Sequence, residues 1–212
     1  MKIKLMKFVL VVLLFCIADL VQAVPVTIQI SGNITSASGS GLPSTIYDGV
    51  SFLGTYTYDT STPDSYSSAY SGYYQHSSPY GINLSLGGYQ FQTAANHIGR
   101  FDIEIGNDDP GPPLIGPLDY YLVCCNAFIP IDGITINSFT WNLHDTSYTA
   151  ISSDALPVTA PVLTDWEFNK FYIFGSGNNG DFSITGTITE AVPEPLTISL
   201  LAIGLILCNR RR

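Results

Sequence analysis

The chain has 212 residues, 46% of them hydrophobic and only 12% charged, with 13 tyrosines, 19 glycines and 13 prolines. Serine, threonine, asparagine and tyrosine take the polar positions that lysine and glutamate fill in helical proteins, a composition that favours strands. Lys2, Lys4, Lys7, Arg210, Arg211 and Arg212 hold six of the eight bases, so the body keeps Arg100 and Lys170 against sixteen acids, a formal charge of −14 that excludes nucleic acid as a partner.

In chain order, the first element is a leader. Three lysines, an unbroken apolar run over residues 8–18 and then Val21-Gln22-Ala23 follow the order of a secretory signal peptide. The pattern predicts residues 1–23 as that signal, cut by signal peptidase after Ala23. The run is too short for an ordinary membrane-spanning helix.

From Val24 onward, apolar and polar residues alternate at the period of a strand. Val26, Ile28 and Ile30 form the first such run, and 53–58 the second. Ile82, Leu84 and Leu86 lead through Gly87-Gly88 into Tyr89 and Phe91, a hairpin signal. Phe101, Ile103 and Ile105 follow, then a continuous apolar run over 120–128 that reads as a buried strand. Ile134 and Ile136 alternate, and Phe139, Trp141 and Leu143 resume in the opposite phase, which predicts a β-bulge near Ser138. Strands at 170–174 and 182–188 complete the set. Gly175, Gly177 and Gly180 fit the spacing of a dinucleotide fingerprint, but a strand follows them instead of a helix, so they read as a hairpin turn. Nine or ten strands and no helical period predict an all-β fold, a single jelly-roll-like β-sandwich ectodomain over residues 24–190.

Two long loops are candidate binding regions. Residues 61–80 carry Tyr66, Tyr70, Tyr73, Tyr74 and Tyr80, which fit a glycan platform and fit strand propensity equally well. Near the second loop, at 107–117, Asp102 and Glu104 lie two apart and share one face of a strand. With Asp108 and Asp109 they supply the oxygen ligands of a weak Ca²⁺ site. The Asp102–Glu104 pair also suits a polysaccharide-active enzyme, and the whole group suits a solvated acidic edge. No metal-spaced histidine pair, nucleophile elbow or other catalytic motif is present, so the reading is of a non-enzyme needing no cofactor beyond that possible Ca²⁺. Cys124 and Cys125 are adjacent in a strand and point apart, so at least one reads as a buried small hydrophobe, and a vicinal bridge through a strained ring is the alternative in an oxidising compartment.

The last element, 191–212, contains Pro193-Glu194-Pro195, a largely apolar run over 196–208 and then Arg210, Arg211 and Arg212. Thirteen residues make a helix of about 20 Å where a bilayer core needs about 30 Å, so the run is a short transmembrane helix and a weak permanent anchor. The arginines predict a cytoplasmic end. Proline motif, Leu/Gly-rich span and basic terminus together resemble the PEP-CTERM sorting tail of Gram-negative bacteria. The body resembles a recurrent PEP-CTERM ectodomain type in its opening strand at 28–38, in Tyr56-Thr57-Tyr58-Asp59-Thr60-Ser61 and in Asp154-Ala155-Leu156-Pro157. That resemblance implies an exosortase-type sorting enzyme as partner and a transient inner-membrane tether. It implies a final place at the cell surface or in a biofilm matrix, alongside exopolysaccharide. A carbohydrate-binding module or a polysaccharide-active enzyme is the alternative.

Overall fold

A computed structural model describes residues 25–66, 68–110 and 117–194. The leader with Ala23, residues 111–116 of the second loop, and the tail from Pro195 through Arg210, Arg211 and Arg212 lie outside the described residues.

The described chain is all-β. Its strands are β1 (Pro25–Ser38), β2 (Ser51–Asp59), β3 (Ser71–His76), β4 (Gly81–Leu86), β5 (Tyr89–Gln92), β6 (Phe101–Asp109), β7 (Leu118–Cys125), β8 (Thr135–Asp145), β9 (Phe168–Gly177) and β10 (Gly180–Pro193), with one 3-10 turn at Leu163–Asp165. All strand pairs are antiparallel. The expected turn devices are in place. Gly87 and Gly88 take φ of 58° and 91° between β4 and β5, a left-handed turn that glycine enters without steric cost. The register of β8 against β9 slips between Ile136 and Ser138, where the phase change predicted a bulge. Gly177 and Gly180 flank the β9–β10 hairpin.

One hydrogen-bonded sheet holds all ten strands, in the order β3-β6-β7-β8-β9-β10-β1-β2-β4-β5. Its curl follows from one short connection. β3 is the first strand of the sheet and β4 the ninth, yet only residues 77–80 join them. Laid flat, eight strand spacings would separate the two by about 38 Å, while the link reaches about 18 Å. The sheet therefore curls until its two halves face each other across one core. The rings confirm the closure: Tyr56 on β2 lies edge-on to Trp141 on β8 at 6.1 Å, and Phe52 meets Phe171 on β9 at 4.5 Å.

The seam between the two ends of the curl is polar. His76, at the end of β3, is buried with its ring nitrogens 3.1 Å from the Tyr74 carbonyl and 3.3 Å from the Asp59 carbonyl on β2. Burial holds its imidazole below the ordinary value, although both carbonyls and the Asp59 charge favour the proton. Further along, the Ala94 amide donates to the Ala127 carbonyl and the Ile129 amide to the Gln92 carbonyl, which covers part of the β5 edge. The β3 edge is covered too: Asp64 accepts from the Tyr73 amide, and the Ser65 amide donates to the Tyr73 carbonyl. Both edges are thereby blocked against pairing with another chain.

β3 falls inside the stretch read from sequence as the 61–80 loop. Its inward residues are Gly72, Tyr74 and His76, with Ser71 buried on the opposite face, so apolar alternation is missing there. β7 alternates as well and is not buried on both faces: Tyr121, Val123 and Cys125 face the core, while Tyr120, Leu122 and Cys124 are only partly buried.

Candidate functional site

The outer face of β3, β6, β7, β8 and β9 gathers Tyr73, Asp102 and Glu104 among the predicted site residues. Cross-strand register sets two rows. Tyr73 lies opposite Glu104, followed by Leu122, Asn142 and Lys170, and Gln75 lies opposite Asp102, followed by Cys124, Thr140 and Tyr172. Between them Ile103, Ile105, Val123, Trp141, Leu143, Phe171 and Ile173 point inward and are buried. Asp102 and Glu104 therefore share the outward face, as their spacing requires.

Asp102 is a perturbed group of this face. Burial among its neighbours and then the Glu104 charge push its carboxyl up to about 6, against a smaller opposing hydrogen bond from the Cys124 thiol. Glu104 is held by the Tyr120 hydroxyl at 3.0 Å; that hydroxyl also lies 3.4 Å from Asp109 but has one proton to donate. Burial and the Asp102 charge push the Cys124 thiol up to about 12, so it stays protonated and is a poor nucleophile.

The sign of the Asp102 effect is testable. A carboxyl that binds its proton more tightly in the folded state loses stability as pH rises through the window from about 3.9 to 6, and the loss persists above it. The group is half-exposed, so solvent screening reduces the cost at neutral pH to about 1 kcal/mol. Asp102→Asn is expected to raise stability by that amount at pH 7.5, or about 2–4 °C in Tm, and to give no gain at pH 4. Calorimetry at the two pH values checks this, and a gain independent of pH would remove ionisation as its cause.

The five tyrosines do not form one platform. Tyr66 and Tyr73 stack at 5.1 Å beside Gln75 and Glu104, and Tyr70 stands apart and exposed. Tyr74 points the other way because it follows Tyr73 in a strand. It is buried and donates its hydroxyl to the Asp154 carbonyl. Tyr80 packs on His76 and donates to Asp59 at the seam. Tyr74 and Tyr80 are thus structural, and Tyr66 with Tyr73 is the pair that faces solvent together.

The weak Ca²⁺ set is not assembled. Asp108 and Asp109 lie beyond the register shift after Gly106, and Asp108 has φ of 53° with its amide donating to Asp119. Among the described residues no three His, Cys, Asp or Glu side chains converge as metal ligands. The buried carboxylates among these residues are Asp119 and Asp145, directly opposite each other in the β7–β8 ladder. Asp145-Thr-Ser was the available signal, since an Asp two residues before Ser marks a side-chain-to-backbone turn. Asp59-Thr-Ser makes the same turn, with Asp59 accepting from the Ser61 amide and hydroxyl.

Pro193 and Glu194, the first two residues of the predicted sorting motif, belong to the sheet's end. Pro193 is paired with Ile28 of β1, and the Glu194 amide donates to the Thr27 carbonyl at 3.0 Å. The body thus continues past residue 190. Cys124 and Cys125 are free thiols on opposite faces, the second buried beside Thr93. Comparison of the chain with protein-family models, with curated proteins and with solved structures finds no match.

Proposed function

We propose that this is an exported, non-enzymatic surface or matrix protein. Its sandwich-like, jelly-roll-type body is delivered by the signal peptide and held briefly at the inner membrane by a PEP-CTERM-type tail. An exosortase-type enzyme then releases it into an exopolysaccharide setting. The observation that supports this most is the placement of the body's two ends. β1 starts at Pro25, two residues after the predicted signal cleavage, and β10 ends at Pro193, within the Pro-Glu-Pro motif. The two strands are neighbours, so both processing points leave the body at one place and neither cut disturbs the core. The acidic surface, with two bases in the body, keeps such a domain hydrated and unattached to anionic polymers.

Pro193 and Glu194 are tied to β1, so a cut that preserves the sheet falls after Glu194. Intact-mass measurement in strains with and without the sorting enzyme tests the reading. The expected product begins at Val24, retains Glu194 and lacks Arg210, Arg211 and Arg212, whereas the enzyme-deficient strain retains all three. Arg212 present in both strains would overturn the proposal.

A further inference from the structure

We propose that the groove between residues 159–164 and the end of β10 is a membrane-resting surface, seated at the headgroup boundary of a zwitterionic bilayer while the tail is inserted. The inference rests on the reading of residues 195–212 as membrane-inserted.

The first support is the absence of a stalk. The described body ends at Glu194, and the apolar run begins at Leu196. One residue between them spans at most about 7 Å, comparable to the polar layer on each side of a bilayer, about 5–8 Å. Whatever surrounds Pro193 is therefore carried into that layer. The run is also short: thirteen residues read as a helix would reach about 20 Å against a core of about 30 Å, which would draw the attached body down toward the lipid.

The second support is the chemistry of the surface that surrounds Pro193. A groove of about 390 Å³ runs beside it, where Ala160, Pro161, Val162 and Leu163 face Ala191 and Pro193. Val162 is 60% exposed, Val158 71% and Val192 37%. The stretch 155–164 carries no charge in a body otherwise rich in acids. It is fastened in place by the Tyr58 hydroxyl on the Pro157 carbonyl and by the Asp165 amide on the Val162 carbonyl. The groove's charged lining residue is Glu190, with Asp165 and Glu194 close in sequence to its walls. Among the groove's lining residues there is an acid and no base, which fits zwitterionic headgroups and disfavours an anionic surface.

The test uses the full chain in phosphatidylcholine vesicles containing a brominated-acyl lipid, with single tryptophans added at three places. Val162→Trp reports the groove, Asn179→Trp the far end of β10, and Leu200→Trp the tail. The native Trp141 and Trp166 are buried and form a common background. Val162→Trp is expected to show at least twofold greater fractional quenching than Asn179→Trp, with Leu200→Trp quenched most. If Leu200→Trp is quenched and Val162→Trp behaves like Asn179→Trp, the membrane-resting surface is wrong and the tail reading stands. If Leu200→Trp is unquenched, the tail reading fails and this inference with it. A Val162→Trp signal that shifts with protein concentration and ignores the brominated lipid would assign the groove to a second copy of the chain and overturn the proposal.

Discussion

Replacing Trp141 with alanine is expected to lower the unfolding free energy by about 3–5 kcal/mol, a large share of the roughly 5–15 kcal/mol that holds a domain together. Trp141 is fully buried on β8 and meets Tyr56 of β2 and Tyr121 of β7 edge-on, at 6.1 and 5.9 Å. The two tyrosine hydroxyls are 3.2 Å apart, and burial pushes both phenols well above their ordinary value, so they stay neutral and share a hydrogen bond. β2 and β8 stand four places apart in the sheet, so this cluster is where the opposed halves of the curl touch. A cavity there cannot be filled by one strand shifting, because each wall belongs to a continuous ladder. The indole N–H also donates to Asn169 at 3.0 Å, and Asn169 in turn donates to the Ile188 carbonyl. Trp141→Phe keeps most of the ring and loses that bond, so its cost is about 1–2 kcal/mol. Urea unfolding followed by circular dichroism separates the cases by midpoint at constant slope. A Trp141→Ala cost below that of Trp141→Phe would show that the halves are not joined through this side chain.

The difference between what the chain announces and what it conceals lies in the range of the interactions. Ile82, Leu84 and Leu86 announce a half-buried strand because each neighbour two residues away shares a face, and Gly87-Gly88 announces its turn because the required φ is local. Asp102 and Glu104 share a face for the same reason. Their partners across the strands, Tyr73, Gln75, Leu122 and Cys124, depend on register, which no local period encodes. β3 is hidden because its inward residues are Gly72, Tyr74 and His76, and the buried histidine is made acceptable by a partner on a distant segment: the Asp59 carbonyl is 17 residues before His76. Single-sheet connectivity is concealed likewise. Ten alternating runs suit two sheets as well as one, and the curl is decided by the short 77–80 link between strands at opposite ends of the ladder. Tyr73 and Tyr74 look equivalent in a tyrosine-rich stretch until that stretch is known to be a strand, whereupon one must face out and the other in.

Asp145→Ala is expected to cost about 2–4 kcal/mol. Its carboxylate, buried at the end of β8, accepts from the amides of Ser147, Thr149 and Ala150 and from the Ser147 hydroxyl. Opposite it, Asp119 accepts from the amides of Asp108 and Ile151, so two facing carboxylates fasten the returning segment to the ends of β6, β7 and β8. Burial alone would raise the Asp145 carboxyl, but the Thr149, Ser147 and Ala150 amides and the Ser147 hydroxyl outweigh it and hold the group below its ordinary range. A depressed carboxylate stabilises the fold above its unfolded value of about 3.9, and that contribution is lost as pH falls through the folded value. The penalty of Asp145→Ala should therefore be full at pH 7 and shrink below pH 4. Asp145→Asn keeps one acceptor oxygen but turns an N–H₂ toward amide donors, so it should fall between wild type and alanine at pH 7. Hydrogen exchange gives the local readout: the Ser147, Thr149 and Ala150 amides should lose protection in both variants, while the Leu143 and Trp141 amides keep theirs relative to the lowered global stability. Uniform loss of protection along β8 would show that Asp145 supports the strand itself and not the segment that returns over it.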